Sequence, residues 1–257
     1  MTVLATVDRR VLGAFRLVDA FSREPVSTTP IVRVAALDVR RNASGVFVVF
    51  DAPGRRELTW QFDPKTPWPA ATDTPVAIVA DGRGYLSRRV QISMPRRPTP
   101  MSDPASSMNP QDVALYPGPA AALGFNWAVV RVRVCKAGSG PGDPGLPWAV
   151  LRMTRDSDAS EVATGLCDGR GEGVLAVPGA GQSANGGAGA PVIAATFDAT
   201  VTAYFDPGNA KQNNRWIPDP DEVLRNLGNA VLKKGTTPAP VKVGRGTLSE
   251  ITIPIAV

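Results

Sequence analysis

The sequence contains no histidine, and this removes the side chain that most often acts as a general base or a metal ligand near neutral pH. Only two cysteines are present, Cys135 and Cys167, and two cysteines carry no disulfide framework. We interpret them as free, buried thiols that pack as small hydrophobic groups. They could also approach each other across neighbouring strands, so the sequence leaves a bond between them open.

Aromatic residues and long apolar runs are also scarce. Phe, Trp and Tyr make up 6% of the 257 residues, and no apolar run approaches the length that spans a membrane. The first residues, MTVLATVDRR, lack the positive start and the long apolar core of a signal peptide. We therefore expect no signal peptide, synthesis in the cytoplasm and no insertion into a membrane.

The chain has a net charge of +5, but its basic residues are not arranged as in a nucleic-acid-binding site. The arginines stand in pairs spread along the chain, whereas a single-strand binding site would interleave a basic patch with aromatic residues. We therefore expect no nucleic-acid partner. Arg131 and Arg133 are predicted to lie on a solvated sheet face, where they discourage the pairing of strand edges.

No set of residues predicts catalysis. Without histidine, serine chemistry would need a lysine base, and no lysine stands at an S-x-x-K spacing. The acidic residues Asp219, Asp221 and Glu222 are explained by the capping of a helix. Asp156 and Asp158 share a turn, but a calcium loop needs further oxygen ligands at fixed spacings. We therefore predict that the chain is no enzyme and holds no metal ion.

Two glycine-rich stretches could suggest a phosphate or dinucleotide site. Residues 178–191, PGAGQSANGGAGAP, lack the G-K-[ST] ending that supplies a lysine and a metal-binding hydroxyl. The G-x-G-x-G pattern at residues 169–173 is followed by an apolar strand pattern and by no helix. We therefore expect no cofactor.

A repeated arrangement of strands is the main feature that is present. The 25 glycines and 25 prolines fit many short strands joined by turns. Residues 126–178 hold a period-two strand, a Gly/Pro loop, a second apolar run, a D-G turn and a third apolar run. Residues 10–54 repeat this order, and each copy ends in an apolar strand followed by Pro-Gly. Two degenerate copies indicate the duplication of a β-sandwich unit.

These patterns resemble a known family. The stretch FRLVDAFSREPVSTTPIVRV is similar to the opening of carboxypeptidase-regulatory-like (transthyretin-like) β-sandwich domains. The pattern of that family is a G-x-V-x-D strand, a G-x-P-V turn and a second strand. ATGLCDGRGEGVLAV is similar to their T-D-x-x-G-x-F segment, with Asp168 and Gly173 in the matching places. The first copy departs from that pattern, because residues 42–45 (NASG) stand where an acidic turn residue is expected. The resemblance implies a binding or scaffolding protein with no catalytic residues.

The fold prediction is all-β. We expect two Ig-like or transthyretin-like β-sandwich domains, residues 1–96 and 123–257, joined by a Pro-rich linker over residues 97–122 that could instead drape over a partner. One short helix is predicted in the second domain. Asp219 caps it, Pro220 takes its first position and Gly228 ends it.

The predicted function is structural. The segments GYLSRRVQISMPRR and PDPDEVL, within the whole arrangement, resemble accessory proteins encoded with phage tails and contractile injection particles. We therefore expect a non-catalytic component that contacts other protein subunits, or its own copies, in an assembled particle. Trp68, Trp148 and Trp216 are the candidate interface residues, because aromatic side chains are enriched at interface hot spots. The alternative is a carbohydrate- or surface-binding module of the adhesin kind, with aromatic residues aligned on one exposed sheet face.

Overall fold

The computed structural model describes residues 11–26, 31–33, 37–55, 58, 67–80, 84–179, 196–208 and 218–257. Within these ranges the chain is nearly all β, with a single short helix, so the predicted all-β sandwich fold is confirmed. The chain divides into two compact units. The first comprises Met1–Val18, Glu24–Val79 and Arg89–Ala114, and the second comprises Asp19–Arg23, Ala80–Arg88 and Leu115–Val257.

The first unit is built from two sheets. Its strands are β1 (Gly13–Asp19), β2 (Ile31–Arg33), β3 (Asp38–Arg41), β4 (Val46–Asp51), β5 (Thr72–Val79), β6 (Arg88–Met94) and β7 (Gln111–Leu115). One sheet has the order β3-β4-β1-β7 and the other the order β2-β5-β6. The sheets face each other, because a Cβ at Gly13 of β1 would lie 3.2 Å from Cγ of Met94 in β6. Phe15 and Phe47 stack within the first sheet, with ring centroids 5.1 Å apart.

The second unit is a larger sandwich. Its strands are β8 (Ala128–Lys136), β9 (Val150–Arg155), β10 (Glu161–Leu166), β11 (Glu172–Val177), β12 (Phe197–Phe205), β13 (Lys233–Thr236), β14 (Val241–Val243) and β15 (Leu248–Ile255), with helix α1 (Pro220–Arg225). One sheet has the order β11-β8-β15; the other runs β10-β9-β12-β13, and β14 also pairs with β12. Buried side chains from both sheets form one apolar core, among them Val132, Leu151, Val201 and Ile253.

The two units share part of their strand pairing, although the third strand of the first unit (β3) pairs with β4 and that of the second unit (β10) pairs with β9 in the opposite sheet. In the first unit β1 pairs antiparallel with β4 and has β7 on its other side. In the second unit β8 pairs antiparallel with β11 and has β15 on its other side. The second strand of each unit lies in the other sheet and pairs there, antiparallel, with a later strand: β2 pairs with β5, and β9 pairs with β12.

The turn before the last strand of each copy has one hydrogen-bond pattern. The Val46 N–H donates to Asn42 Oδ1 (2.9 Å), and the Asn42 N–H donates to the Val46 carbonyl (2.9 Å). The Glu172 N–H likewise donates to Asp168 Oδ1 (3.1 Å), and the Asp168 N–H donates to the Glu172 carbonyl (2.7 Å). A glycine with φ near +80° stands one residue earlier in each turn, at 45 and 171. The Asn42 amide oxygen therefore replaces the carboxylate that the family pattern led us to expect.

Close packing behind this turn explains why the second copy has a glycine at position 173. A Cβ at Gly173 would lie 2.8 Å from Cδ1 of Leu151 and 3.1 Å from Sγ of Cys167. Cys167 and Cys135 are both buried and free, which decides the question of a bond that the sequence left open. No bond joins them.

The structure differs from the predicted linker and domain limits. Residues 111–115 within the predicted linker form β7, which adds to the sheet beside β1. Residues 19–23 and 80–88 group with the second unit, although they precede the predicted boundary. The reason is that pairing partners far apart in sequence determine strand membership, and proline-rich composition does not report them.

Element limits also differ locally. The short or polar strands β3, β10, β13 and β14 have no predicted counterpart, because each lacks a run of apolar residues. Helix α1 begins after the Asp219 cap with Pro220 at its first turn, as predicted, but it ends at Arg225 with Asn226 as its C-cap. Gly228 lies in the turn beyond it. Most of the glycine-rich stretch at 178–191 lies outside the described residues.

Candidate interaction surface

The predicted interface tryptophans have different surroundings. Trp68 is half-buried, and its indole N–H is buried without a hydrogen-bond partner in the described part of the chain. Trp148 is half-buried, adopts a φ of 62° and packs over Gly169, where a Cβ would lie 3.5 Å from its Cζ2 atom. The backbone N–H of Trp148 donates to the Asp168 carbonyl (3.2 Å), so Trp148 supports the turn of its own unit. Trp216 lies outside the described residues. Their role at an interface stays a prediction.

An edge strand, β15, is the feature of the second unit best suited to a contact. It pairs only with β8 among the described strands, in parallel, with Leu248 opposite Val129 and Ile255 opposite Lys136. The Val129 N–H donates to the Thr247 carbonyl (2.8 Å), and the Ala137 N–H donates to the Ile255 carbonyl (2.8 Å). Backbone groups alternate in direction along a strand. In β15 the backbone N–H and carbonyl groups of odd-numbered residues therefore point to β8, and those of even-numbered residues point to the open side.

The open edge of β15, which we define as Leu248, Glu250 and Thr252, borders a groove. All three side chains are exposed. The groove has a volume of about 420 Å³ and lies between residues 249–252 of β15 and residues 237–242, which include Pro238 and Pro240. At the far end of the strand the edge is covered, because a Cβ at Gly235 of β13 would lie 2.4 Å from the Pro254 carbonyl oxygen.

The outer face of the sheet β11-β8-β15 is charged. Arg131 lies opposite Glu250 of β15, and Arg133 lies between Glu172 and Thr252. A second depression of about 390 Å³ is lined by these residues. Both arginines are half-buried, which agrees with their predicted place on an outer sheet face. Their predicted role at an edge is wrong, however, because β8 is the middle strand of the sheet.

The guanidinium groups of this face bind backbone oxygens of neighbouring loops. Arg131 donates to the Pro119 carbonyl, and Arg133 donates to the Asp143 carbonyl. Such contacts use the arginines to hold loops against the sheet. Glu172 pairs with Arg170 at 3.1 Å. The face therefore offers charge and hydrogen bonds to a partner, and it places no nucleophile beside a base.

Three potential nucleophiles of the second unit, Cys167, Tyr116 and Tyr85, have raised pKa values that favour their protonated forms. Burial raises the pKa of the Cys167 thiol, and the adjacent Asp168 carboxylate raises it further. Burial also raises the pKa of the Tyr116 hydroxyl. For Tyr85, burial raises the pKa most, and a hydrogen bond of 2.9 Å to the Asp19 carboxylate adds to the effect. A neutral thiol or phenol is a weak nucleophile.

A buried charge cluster in the second unit was not predicted from the sequence. Arg88 is 1% exposed and pairs with Asp221, and its Nη2 lies 4.0 Å from Oδ1 of Asp219. Its guanidinium also lies over the ring of Tyr116, 5.4 Å from the centroid. An arginine in a strand pattern carries no signal that separates such a site from an exposed position. The cluster holds the segment that ends in Arg88 against helix α1, which is a structural role.

The acidic turn at Asp156 and Asp158 is satisfied by protein donors. Asp156 accepts from the Thr200 hydroxyl (2.8 Å), and Asp158 accepts from the Ser160 hydroxyl (2.6 Å). Two hydrogen bonds from Ser160 hold the pKa of Asp158 below its usual range. Nowhere in the described ranges do three or more His, Cys, Asp or Glu residues come together in a group that could hold a metal ion.

No helix in the described ranges has the length and apolarity needed to cross a membrane.

Comparisons with known proteins add little. No family model and no curated protein matches the chain. Among solved structures, the chain is similar to the Bacillus anthracis TIE protein, with a TM-score of 0.28 and 8% sequence identity over 96% of this chain and 34% of that chain. The chain thus spans about a third of the length of that structure, and a TM-score this low supports no conclusion about function.

Proposed function

We propose that the chain is a non-catalytic structural component that acts through protein–protein contacts, as an accessory part of a phage-tail-like or contractile injection particle. The observation that carries the proposal is the open edge of β15 beside its groove. An exposed strand edge offers unpaired backbone donors and acceptors in a row, and another chain can pair with it. The particle class is taken from the resemblance of the sequence to accessory proteins encoded with such tails.

The chemistry of the second unit supports a contact function over catalysis. Its described thiols are buried, and the pKa values of Cys167, Tyr85 and Tyr116 are raised, so none of these groups is poised to attack a substrate. Catalytic sites instead combine a perturbed base with a reachable nucleophile.

The outer face of the second unit also favours a protein partner over a carbohydrate. A sugar-binding sheet face would present aligned aromatic side chains, because these stack on sugar rings. The central positions of the face β11-β8-β15 are Arg131, Arg133, Glu250 and Thr252. Charged residues of both signs provide specificity between protein surfaces.

The proposal is tested with the chain carrying an affinity tag in its native host. We expect the tagged chain to sediment with high-mass particles, and electron microscopy of the purified material to show tail-like objects. A chain recovered solely as a monomer that binds immobilised sugars would overturn the proposal in favour of the carbohydrate-binding alternative. A tagged chain of β-sandwich fold that lacks this affinity serves as the control for non-specific sedimentation.

A further inference from the structure

We infer that the open edge of β15 accepts an extended segment of a partner protein as an added strand, with a lysine or arginine of that segment opposite Glu250. This inference rests on the proposed function and names the chemistry of its partner. Since Thr247 and Ile255 face β8, the N–H and carbonyl groups of Leu248, Glu250 and Thr252 point away from the sheet.

The length of the free edge is limited at both ends. Pro254 has no N–H, and its carbonyl lies close to Gly235 of β13, so that end is closed. At the other end, Gly246 with a φ of 69° lies in the turn that precedes the strand. Three outward residues remain, and a strand of about six residues would cover them, since outward groups recur at every second position.

The groove shows which side chains an added strand would need on its inner face. The strand would extend the sheet beyond β15, and its inward side chains would enter the groove of about 420 Å³. Ile251, Pro238, Pro240 and Val241 give this groove an apolar lining. Small apolar residues such as valine or alanine at alternate positions fit these neighbours.

The outer face of the added strand is determined by charge. Glu250 is exposed, and within the described part of the chain it has no ion-pair partner. A cross-strand pair with a cation contributes about 0.2–1 kcal/mol, and a like charge opposite costs a similar amount. Lys242 also lines the groove, but it lies between buried Val241 and Val243 on β14, and therefore points to the outer face of the other sheet.

The start of the edge provides an apolar contact. Leu248 is 63% exposed, and Phe125, which precedes β8, is 95% exposed. Both lie at the same end of this parallel strand pair, where Arg245 donates to the Asn126 side-chain oxygen (3.1 Å). An apolar residue at the end of the partner segment would contact Leu248 at this end.

A second copy of the chain fits this edge less well than a basic segment. An antiparallel β15 pair centred on Glu250 would place the two Glu250 carboxylates side by side, which is unfavourable. Shifting the register towards the end of the strand brings in Pro254, which cannot donate a hydrogen bond. A shift the other way brings in Gly246, outside the strand.

The test uses a short synthetic peptide that alternates valine with threonine and carries one central lysine, labelled with fluorescein. We expect it to bind the full chain and to slow amide hydrogen exchange at Leu248, Glu250 and Thr252. A peptide with glutamate in place of lysine should bind about two- to thirtyfold more weakly, because it loses the favourable charge pair and gains an unfavourable one. Glu250→Lys should reverse this preference.

Thr252→Pro removes one outward N–H while leaving the bonds to β8, and Pro254 shows that the strand accepts proline at an outward position. We expect about tenfold weaker peptide binding from the lost hydrogen bond and the ring at the edge. Thr252→Ala keeps the N–H, and we expect it to bind like the wild type. Equal thermal stability of the two variants excludes misfolding as the cause.

Several results would overturn the inference. These are absence of protection at the three amides, equal binding by Thr252→Pro and the wild type, and equal affinity for both peptides. Protection that grows with protein concentration without peptide would assign the edge to a second copy. Thr252→Pro chains that enter particles normally would refute the edge inference alone, whereas wild-type chains absent from particles would refute the proposed function alone.

Discussion

At the scale of single residues, one turn shows how two different side chains perform the same task. The oxygen of Asn42 and the oxygen of Asp168 each accept a hydrogen bond from the N–H four residues later. Asparagine and aspartate both make such local side-chain bonds to the backbone. The turn therefore needs an oxygen acceptor at this position, and it does not need a charge.

We predict that Asn42→Ala lowers the free energy of unfolding by about 0.5–1.5 kcal/mol, because the Val46 N–H loses its acceptor. Asn42→Asp keeps the acceptor and should change the free energy by less than about 0.5 kcal/mol. Urea unfolding of both variants measures this. Equal destabilisation by the two substitutions would show that the amide group, and not the oxygen acceptor, stabilises the turn.

At the scale of elements, the buried pair of Arg88 with Asp221 holds the start of β6 against helix α1. A buried ion pair is weak evidence of net stability, but removing one partner leaves a charge without compensation. Asp219 is 5% exposed, and its Oδ2 atom has no hydrogen-bond partner in the described ranges. The helix of six residues is too short to be stable without such tertiary contacts.

We predict that Arg88→Met lowers the free energy of unfolding by about 3 kcal/mol, the low end for a broken buried pair, because the Asp221 side chain is 43% exposed. Arg170→Met is the matched control, since the Arg170 side chain is 73% exposed and its pairs contribute about 0–1 kcal/mol. Denaturant unfolding with circular dichroism measures both.

The charge explanation for Arg88 is checked by adding Asp219→Asn and Asp221→Asn to Arg88→Met. Asparagine keeps the helix cap while removing the uncompensated charges, so part of the lost stability should return. A triple variant as unstable as Arg88→Met would mean that the packing of the Arg88 side chain, and not its charge, stabilises this region.

At the scale of the whole molecule, the raised pKa values of tyrosines link stability to alkaline pH. Burial raises the pKa of Tyr116 above its unfolded value of about 10, so the folded chain binds the phenolic proton more tightly than the unfolded chain. This contribution is fully present below about pH 10 and is lost as the pH rises through the folded pKa. Tyr85 acts in the same direction.

We predict that the free energy of unfolding falls as the pH rises above about 10, and that Tyr116→Phe makes this fall less steep. Phenylalanine keeps the ring under the Arg88 guanidinium, so the variant removes chiefly the titrating hydroxyl. Urea titrations at several alkaline pH values provide the measurement. An unchanged pH dependence in Tyr116→Phe would assign the loss to other groups.

The sequence by itself determined the all-β class, the turns that precede the last strand of each copy and the capped start of helix α1. Each of these follows from local rules: period-two alternation, turn residues, and a cap followed by proline. The same rules placed Arg131 and Arg133 on an outer face, because alternation with buried valines determines the direction of a side chain.

Only the tertiary structure decided which strand forms an edge, which loop borders the groove and which arginine is buried. Val129 to Cys135 and Leu248 to Ile255 alternate similarly, yet β8 lies in the middle of the sheet and β15 at its side. Pairing between residues more than a hundred positions apart makes that difference, as it places Glu250 beside Arg131. Local patterns determine what a strand can bury, whereas long-range contacts determine which of its backbone groups stay open to a partner.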